Sequence, residues 1–86
     1  MAASLTLKDS SGSAGDKVRI TGADFKGGES VSIYVAGDHT DTIPTDVGGV
    51  FDVEVDVPAG TESGAQEITA VGSTSAEVAS ATYTVS

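Results

Sequence analysis

Cysteine, tryptophan and asparagine are absent from the sequence, and among its 86 residues there are one histidine, two prolines and four basic side chains. Without cysteine, neither disulfides nor thiolate zinc sites can staple the scaffold, and the redox compartment is not legible. The single histidine means that any Ser-His-Asp scheme must run through Asp38-His39-Thr40-Asp41. No serine lies in a Gly-x-Ser-x-Gly elbow between a strand and a helix, so nucleophilic hydrolysis is not expected. Four basic residues face thirteen acidic ones, for a net charge of -9. Nucleic acid and anionic membrane would both repel such a chain and are excluded as direct partners. No apolar run is long enough to span a bilayer, and membrane insertion is not expected. Met1-Ala2-Ala3-Ser4 has neither the basic nor the apolar region of a signal peptide. With Met1 as the natural start, this reads as a small protein made without an export signal; with Met1 added, it reads as an excised module.

What is present points to strands. Val, Ile and Thr make up 25 of the 86 residues, and their stiff β-branched side chains suit a pleated, half-buried surface. Eleven glycines and eleven serines supply turns. Leu, Ile, Val and Phe total only 19, which predicts a folded but lean core. Residues 1–86 are read as one domain with no second lobe. Aspartate outnumbers glutamate eight to five. This acidic, lysine-poor bias resembles proteins of salt-loving microbes, in which salt screens self-repulsion.

Every extended stretch alternates with period two and none with period 3.6, so no helix is assigned. Leu5 and Leu7 mark a first strand, and Ser10 to Asp16 reads as a turn-rich connection. Val18 and Ile20 mark a second strand ended by Gly22, after which Phe25 caps the core ahead of Gly27-Gly28. Val31, Ile33 and Val35 mark a third. His39 to Thr45 is irregular and contains Pro44, which predicts a short edge strand. Phe51, Val53, Val55 and Val57 alternate with Asp52, Glu54 and Asp56 in the cleanest strand. Gln66 to Val71 and Val78 to Val85 complete the set. Seven short strands with turn signals about every 8 to 12 residues predict an all-β, seven-stranded antiparallel sandwich.

Three segments carry a family likeness: Ser11-Gly12-Ser13-Ala14-Gly15-Asp16-Lys17-Val18, Ile20-Thr21-Gly22-Ala23-Asp24-Phe25 and Gly28-Glu29-Ser30-Val31. Together with Thr45-Asp46, Gly48-Gly49, Phe51 and Val57-Pro58-Ala59, they resemble bacterial and archaeal immunoglobulin-like surface modules. Each of these elements is turn or core chemistry, so the resemblance speaks to fold more than to function. It implies an immunoglobulin-like β-sandwich of the kind found in surface-layer and adhesin repeats, in accessory domains of secreted enzymes and in decoration proteins of tailed viruses.

Among candidate sites, Asp38, His39 and Asp41 could offer oxygen or nitrogen ligands to a metal, but the loop pattern of a calcium site is missing. A charge-studded edge that discourages aggregation explains them as well, and no metal or cofactor is expected. The Asp52, Glu54, Asp56 stripe reads as a solvated face, with a basic partner or bound cations as the functional alternative. Gly27-Gly28 and Gly48-Gly49 precede no helix and are turns rather than phosphate cradles. With no asparagine, Lys8, Lys17 or Lys26 could form an internal crosslink only with aspartate, which is not expected. The strongest docking candidate is a Tyr/Val/Thr/Ser patch of Tyr34, Ser32, Thr69, Val71, Val78 and Thr82, few of whose neighbours are charged.

The expectation is a non-catalytic structural module on the surface of a large assembly. In its specific form it is a decoration protein on the capsid or tail of a tailed virus, located at the virion surface. A repeat from a cell-surface protein, and so an extracellular location, is the alternative. A carbohydrate-binding accessory module is disfavoured by the presence of only two Phe and two Tyr. The partners expected are protein subunits of that assembly, with homo-oligomerisation on it left open.

Overall fold

A computed structural model describes residues 3–86; Met1 and Ala2, on which the reading of the chain's start rests, lie outside the described residues. The period-two segments form β1 (Ser4–Leu7), β3 (Lys17–Ala23), β4 (Ser30–Val35), β5 (Asp38–Pro44), β6 (Phe51–Asp56), β7 (Gly64–Gly72) and β8 (Val78–Val85), and Ser11–Gly12 adds β2. They make a three-stranded sheet in the order β1-β3-β6 and a five-stranded sheet in the order β2-β8-β7-β4-β5. No helix occurs among the described residues. The architecture resembles an open immunoglobulin-like sandwich.

The inward faces are those marked by the alternation. Val18 and Ile20 of β3 and Phe51 and Val55 of β6 meet Val31, Ile33 and Val35 of β4, Ile68 and Ala70 of β7, and Ala79, Tyr83 and Val85 of β8 in one buried cluster. Each fully buried Val or Ile contributes about 1.5–3 kcal/mol. Phe25 closes one end of the core as expected, its ring centroid 5.6 Å from that of Phe51. Gly22 is required beneath that pair, because a Cβ there would fall on the Phe51 ring.

Among the described residues there are eight strands rather than the expected seven. Ser11–Gly12 pairs in parallel with Thr84 and Val85 of β8. Its bonds run from Thr84 N–H to the Ser10 carbonyl and from Ser86 N–H to the Gly12 carbonyl, each at 2.8 Å. Two residues are too few to display a period, so composition alone marks them as turn. The edge segment is also longer than expected: β5 spans seven residues and has Pro44 at its last position. It keeps its place at the sheet edge, where Pro44 removes no ladder bond from a second neighbour. Between β4 and β5 the chain reverses through Ala36 and Gly37, with φ of 53° and 86°, as a two-residue hairpin turn of the primed type demands.

The molecule extends 35 Å along its long axis against 18 and 17 Å across it. The start of β1 pairs with Ala23, at the end that carries the β3–β4, β5–β6 and β7–β8 connections. Ser86 is bonded to Gly12 at the other end. The two ends of the described chain therefore leave from opposite poles.

Candidate interaction face and its supports

Strand β4 buries Val31, Ile33 and Val35, so Ser32 and Tyr34 turn to the outer face of the five-stranded sheet. On β7, Tyr34 stands opposite Thr69 and Ser32 opposite Val71. On β8, Val71 stands opposite Val78, Thr69 opposite Ser80 and Glu67 opposite Thr82. The register thus gathers Tyr34, Ser32, Thr69, Val71, Val78 and Thr82 onto one face. Val78 is 58% exposed, a large value for an apolar side chain within a strand.

The structure adds His39, which was missed as a member of this face. A register shift between Ile33 and Tyr34 makes Thr40 an extra residue in β5, with its hydroxyl donating to the Ile33 carbonyl at 3.3 Å. This bulge sets His39 rather than Thr40 opposite Tyr34, and the two rings meet edge to face with centroids 5.4 Å apart. A 2.9 Å hydrogen bond between His39 Nε2 and the Thr42 hydroxyl fixes the imidazole. A one-residue slip moves side chains to the other face of a sheet, and nothing local in Asp38 to Pro44 announces it.

Charge is distributed unequally. On the strands β4, β7 and β8, the outward positions of this face carry one carboxylate, Glu67, which accepts a bond from the Thr69 hydroxyl at 3.2 Å. The opposite sheet presents Lys17 and Arg19 of β3 beside Asp52, Glu54 and Asp56 of β6. Arg19 grips Asp52 through two 2.9 Å bonds, and Lys17 lies 3.7 Å from Asp56. The Arg19 bond and charge draw the Asp52 carboxyl below its ordinary range, and Asp52 in turn raises the guanidinium. Two members of the acidic stripe are therefore already paired across their own sheet.

The strongest polar feature lies at the end of the sandwich. Glu29 is buried, and its carboxylate accepts from Lys26 N–H at 2.7 Å, Thr74 N–H at 2.9 Å, Ser75 N–H at 2.8 Å and the Ser75 hydroxyl at 2.8 Å. Burial pushes this carboxyl up, but the bonds from Ser75, Lys26 and Thr74 outweigh it and hold it at about 2, against an ordinary 4.5. Gly72 leaves the space, since a Cβ there would approach the carboxylate to 2.6 Å. Beside it the buried Thr45 hydroxyl donates to the Lys26 carbonyl at 2.8 Å and accepts from Glu29 N–H at 3.1 Å. Every acceptor site here is occupied by the chain itself, so this is a structural clip that ties three connections together.

Among the described residues, no group of three His, Cys, Asp or Glu side chains could hold a metal ion. Asp41 instead accepts from Thr42 N–H at 2.9 Å, and His39 faces Tyr34. Among the described residues, no hydrogen bond joins the histidine to a serine and a carboxylate, as an acyl-transfer relay needs. Lys17 engages Asp56 as an exposed ion pair. Among the described residues, no helix is long and apolar enough to cross a membrane.

No curated protein and no solved structure is significantly similar to the chain. The macroglobulin-like domain family, in contrast, matches it over residues 2–85. The two-sheet β-fold agrees with that match and is consistent with a small structural or interaction module. The chain belongs to the macroglobulin-like domain family.

Proposed function

We propose that the chain is a non-catalytic docking module that sits on the surface of a larger assembly and contacts a protein partner through the outer face of its five-stranded sheet. The observation that carries this reading is the charge distribution. In a chain of net charge -9, the strands β4, β7 and β8 present one carboxylate on a face centred on Tyr34 and Val78. Depletion of charge around a tyrosine is the compositional mark of an interface core. The Tyr34 ring is already braced by His39, so little side-chain entropy is lost on contact. Ser32, Thr69, Val71 and Thr82 complete the patch.

In its specific form, the proposal is a decoration subunit on the capsid or tail of a tailed virus, with a salt-rich host as the source of the acidic surface. The placement of the chain ends at opposite poles supports a second form, a repeat in an extended cell-surface protein, since beads joined in series leave from opposite ends. Fractionating the native source into particles, envelopes and soluble material, with intact-mass detection, tests both. An 8.5 kDa species sedimenting with particles supports the first form, and a segment of a large envelope protein supports the second. An 8.5 kDa species found only in the soluble fraction contradicts surface display.

A further inference from the structure

One margin of the sandwich is closed and the other is open. At the first, β1 and β2 are four and two residues long, and the chain between them crosses from the three-stranded to the five-stranded sheet. At the second, β5 and β6 lie against each other as the last strands of their sheets, and among the described residues no strand pairs with their outer edges. Ile43 of β5 and Val53 of β6 pack against the core but are only partly buried, so the open margin leaves apolar surface uncovered.

The two edges at that margin are not equivalent. Thr45 N–H donates to the Glu29 carbonyl at 2.8 Å, a phase that turns the main chain of Ile43 and Asp41 toward β4 and that of Thr42 and Pro44 outward. Pro44 has no N–H, the Thr42 N–H is taken by Asp41 Oδ1 at 2.9 Å, and Thr40 is bulged. Edge β5 is therefore blunted against strand addition. Edge β6 has no such block in its main chain. Lys8 N–H donates to the Arg19 carbonyl at 2.9 Å on one side of β3, and Val57 N–H to the Asp16 carbonyl at 2.8 Å on the other. That phase turns the main chain of Phe51, Val53 and Val55 toward Gly22, Ile20 and Val18. The N–H and C=O groups of Asp52, Glu54 and Asp56 consequently point away from the sheet, on a six-residue strand that contains neither proline nor glycine.

Charge decides what fits this edge. A strand added beside β6 sets its outward side chains directly opposite Asp52, Glu54 and Asp56, and its inward ones beside Val53 and Ile43. Arg19 and Lys17 reach Asp52 and Asp56 from the far side of β6, and Glu54 makes no ion pair among the described residues. A second copy would bring its own acidic stripe against this one, like charge opposite like. We propose that β6 takes an additional strand from another protein, an extended segment that alternates lysine or arginine with aliphatic residues. Its basic side chains lie on the acidic stripe and its aliphatic ones cover Val53 and Ile43. Main-chain bonds to Asp52, Glu54 and Asp56 hold the segment, and the alternate side chains select it. The site lies on the opposite sheet from Tyr34 and does not rest on the docking face proposed above.

NMR of the 86-residue chain tests it, with amide shifts and hydrogen exchange followed as an end-capped peptide is added to about 1 mM in dilute salt. The peptide has about eight residues and alternates lysine with valine. The amides of Asp52, Glu54 and Asp56, open in the free chain, should become protected at least tenfold at saturation. The same peptide with every main-chain amide N-methylated keeps its charges but cannot donate, and it should leave these amides open, as should a peptide with glutamate in place of lysine. Glu54→Pro removes an outward donor without removing a bond to β3, and should weaken binding at least tenfold. Glu54→Lys, which keeps the main chain intact, should do the same through charge, while Tyr34→Ala binds the peptide as the wild type does. Absence of protection up to the highest concentration, equal binding by the N-methylated or the glutamate peptide, or a folded Glu54→Lys chain that binds unchanged overturns the proposal.

Discussion

Glu29 and Ser75, 46 residues apart, are joined twice: the carboxylate accepts both the main-chain N–H and the hydroxyl of Ser75 at 2.8 Å. The β3–β4 and β7–β8 connections, and through Thr45 the start of the β5–β6 connection, behave as one unit at that pole. A chain without disulfides thereby gains a crosslink made of hydrogen bonds to a single charge.

The clip has a pH signature. The Glu29 carboxyl lies at about 2 in the fold against an ordinary 4.5, a depressed value, so its stabilisation is complete above about 4.5 and is lost as pH falls toward 2. Asp52, also depressed, adds loss of the same sign in the acid range. Thermal melts from pH 6 to 2 are expected to show a steep acid decline that Glu29→Gln flattens, with a lower midpoint at neutral pH. Glu54, which makes no ion pair among the described residues, is the control, and Glu54→Gln should leave the steep acid decline in place.

Phe51 is 4% exposed and lies between Phe25 and Gly22. Phe51→Ala should cost about 3–5 kcal/mol as a core deletion. Gly22→Ala should cost about 1–3 kcal/mol by overpacking the same ring. Urea unfolding measures both.

Ala36 occupies the first position of the β4–β5 turn with φ of 53°, a region costly for alanine and tolerated by asparagine. Ala36→Asn creates the Asn-Gly pair favoured in this turn and should stabilise the fold by about 0.5–1 kcal/mol. A chemical-denaturation midpoint that falls instead would show that the turn is not strained.

The thermal midpoint should rise from dilute to molar sodium chloride, because screening relieves the repulsion of thirteen acidic side chains against four basic ones. The exposed Arg19–Asp52 and Lys17–Asp56 pairs oppose this only slightly, since surface pairs contribute about 0–1 kcal/mol. A flat or falling midpoint contradicts the salt-adapted reading of the composition.

The inward residues of β3, β4, β6, β7 and β8 were legible because period two is a local property: Val31, Ile33 and Val35 mark their face without reference to anything distant. The β4–β7 register sets Tyr34 opposite Thr69 and Ser32 opposite Val71, so the outward positions of the two strands share a face. Three features were not legible. Strand β2 is too short to show a period, and its pairing is decided by β8, more than 70 residues away. The bulge that turns His39 onto Tyr34 is a property of the β4–β5 pair rather than of either strand. Glu29, within Gly28-Glu29-Ser30-Val31, reads as a loop carboxylate because its partners Thr74 and Ser75 lie far along the chain. Two of these are long-range and the third belongs to a strand pair, so the pattern of a single strand carries no trace of them.

The role of the Tyr34 face is tested most directly by rebinding the purified chain to native assemblies stripped of their own copy and comparing wild type with Tyr34→Ala at matched concentrations. Tyr34 is only half-buried, so the variant should fold with a thermal midpoint close to that of the wild type. Its occupancy of the assembly is predicted to fall at least tenfold, the loss typical of a tyrosine at the centre of an interface. Equal occupancy by the folded variant and the wild type would contradict docking through this face.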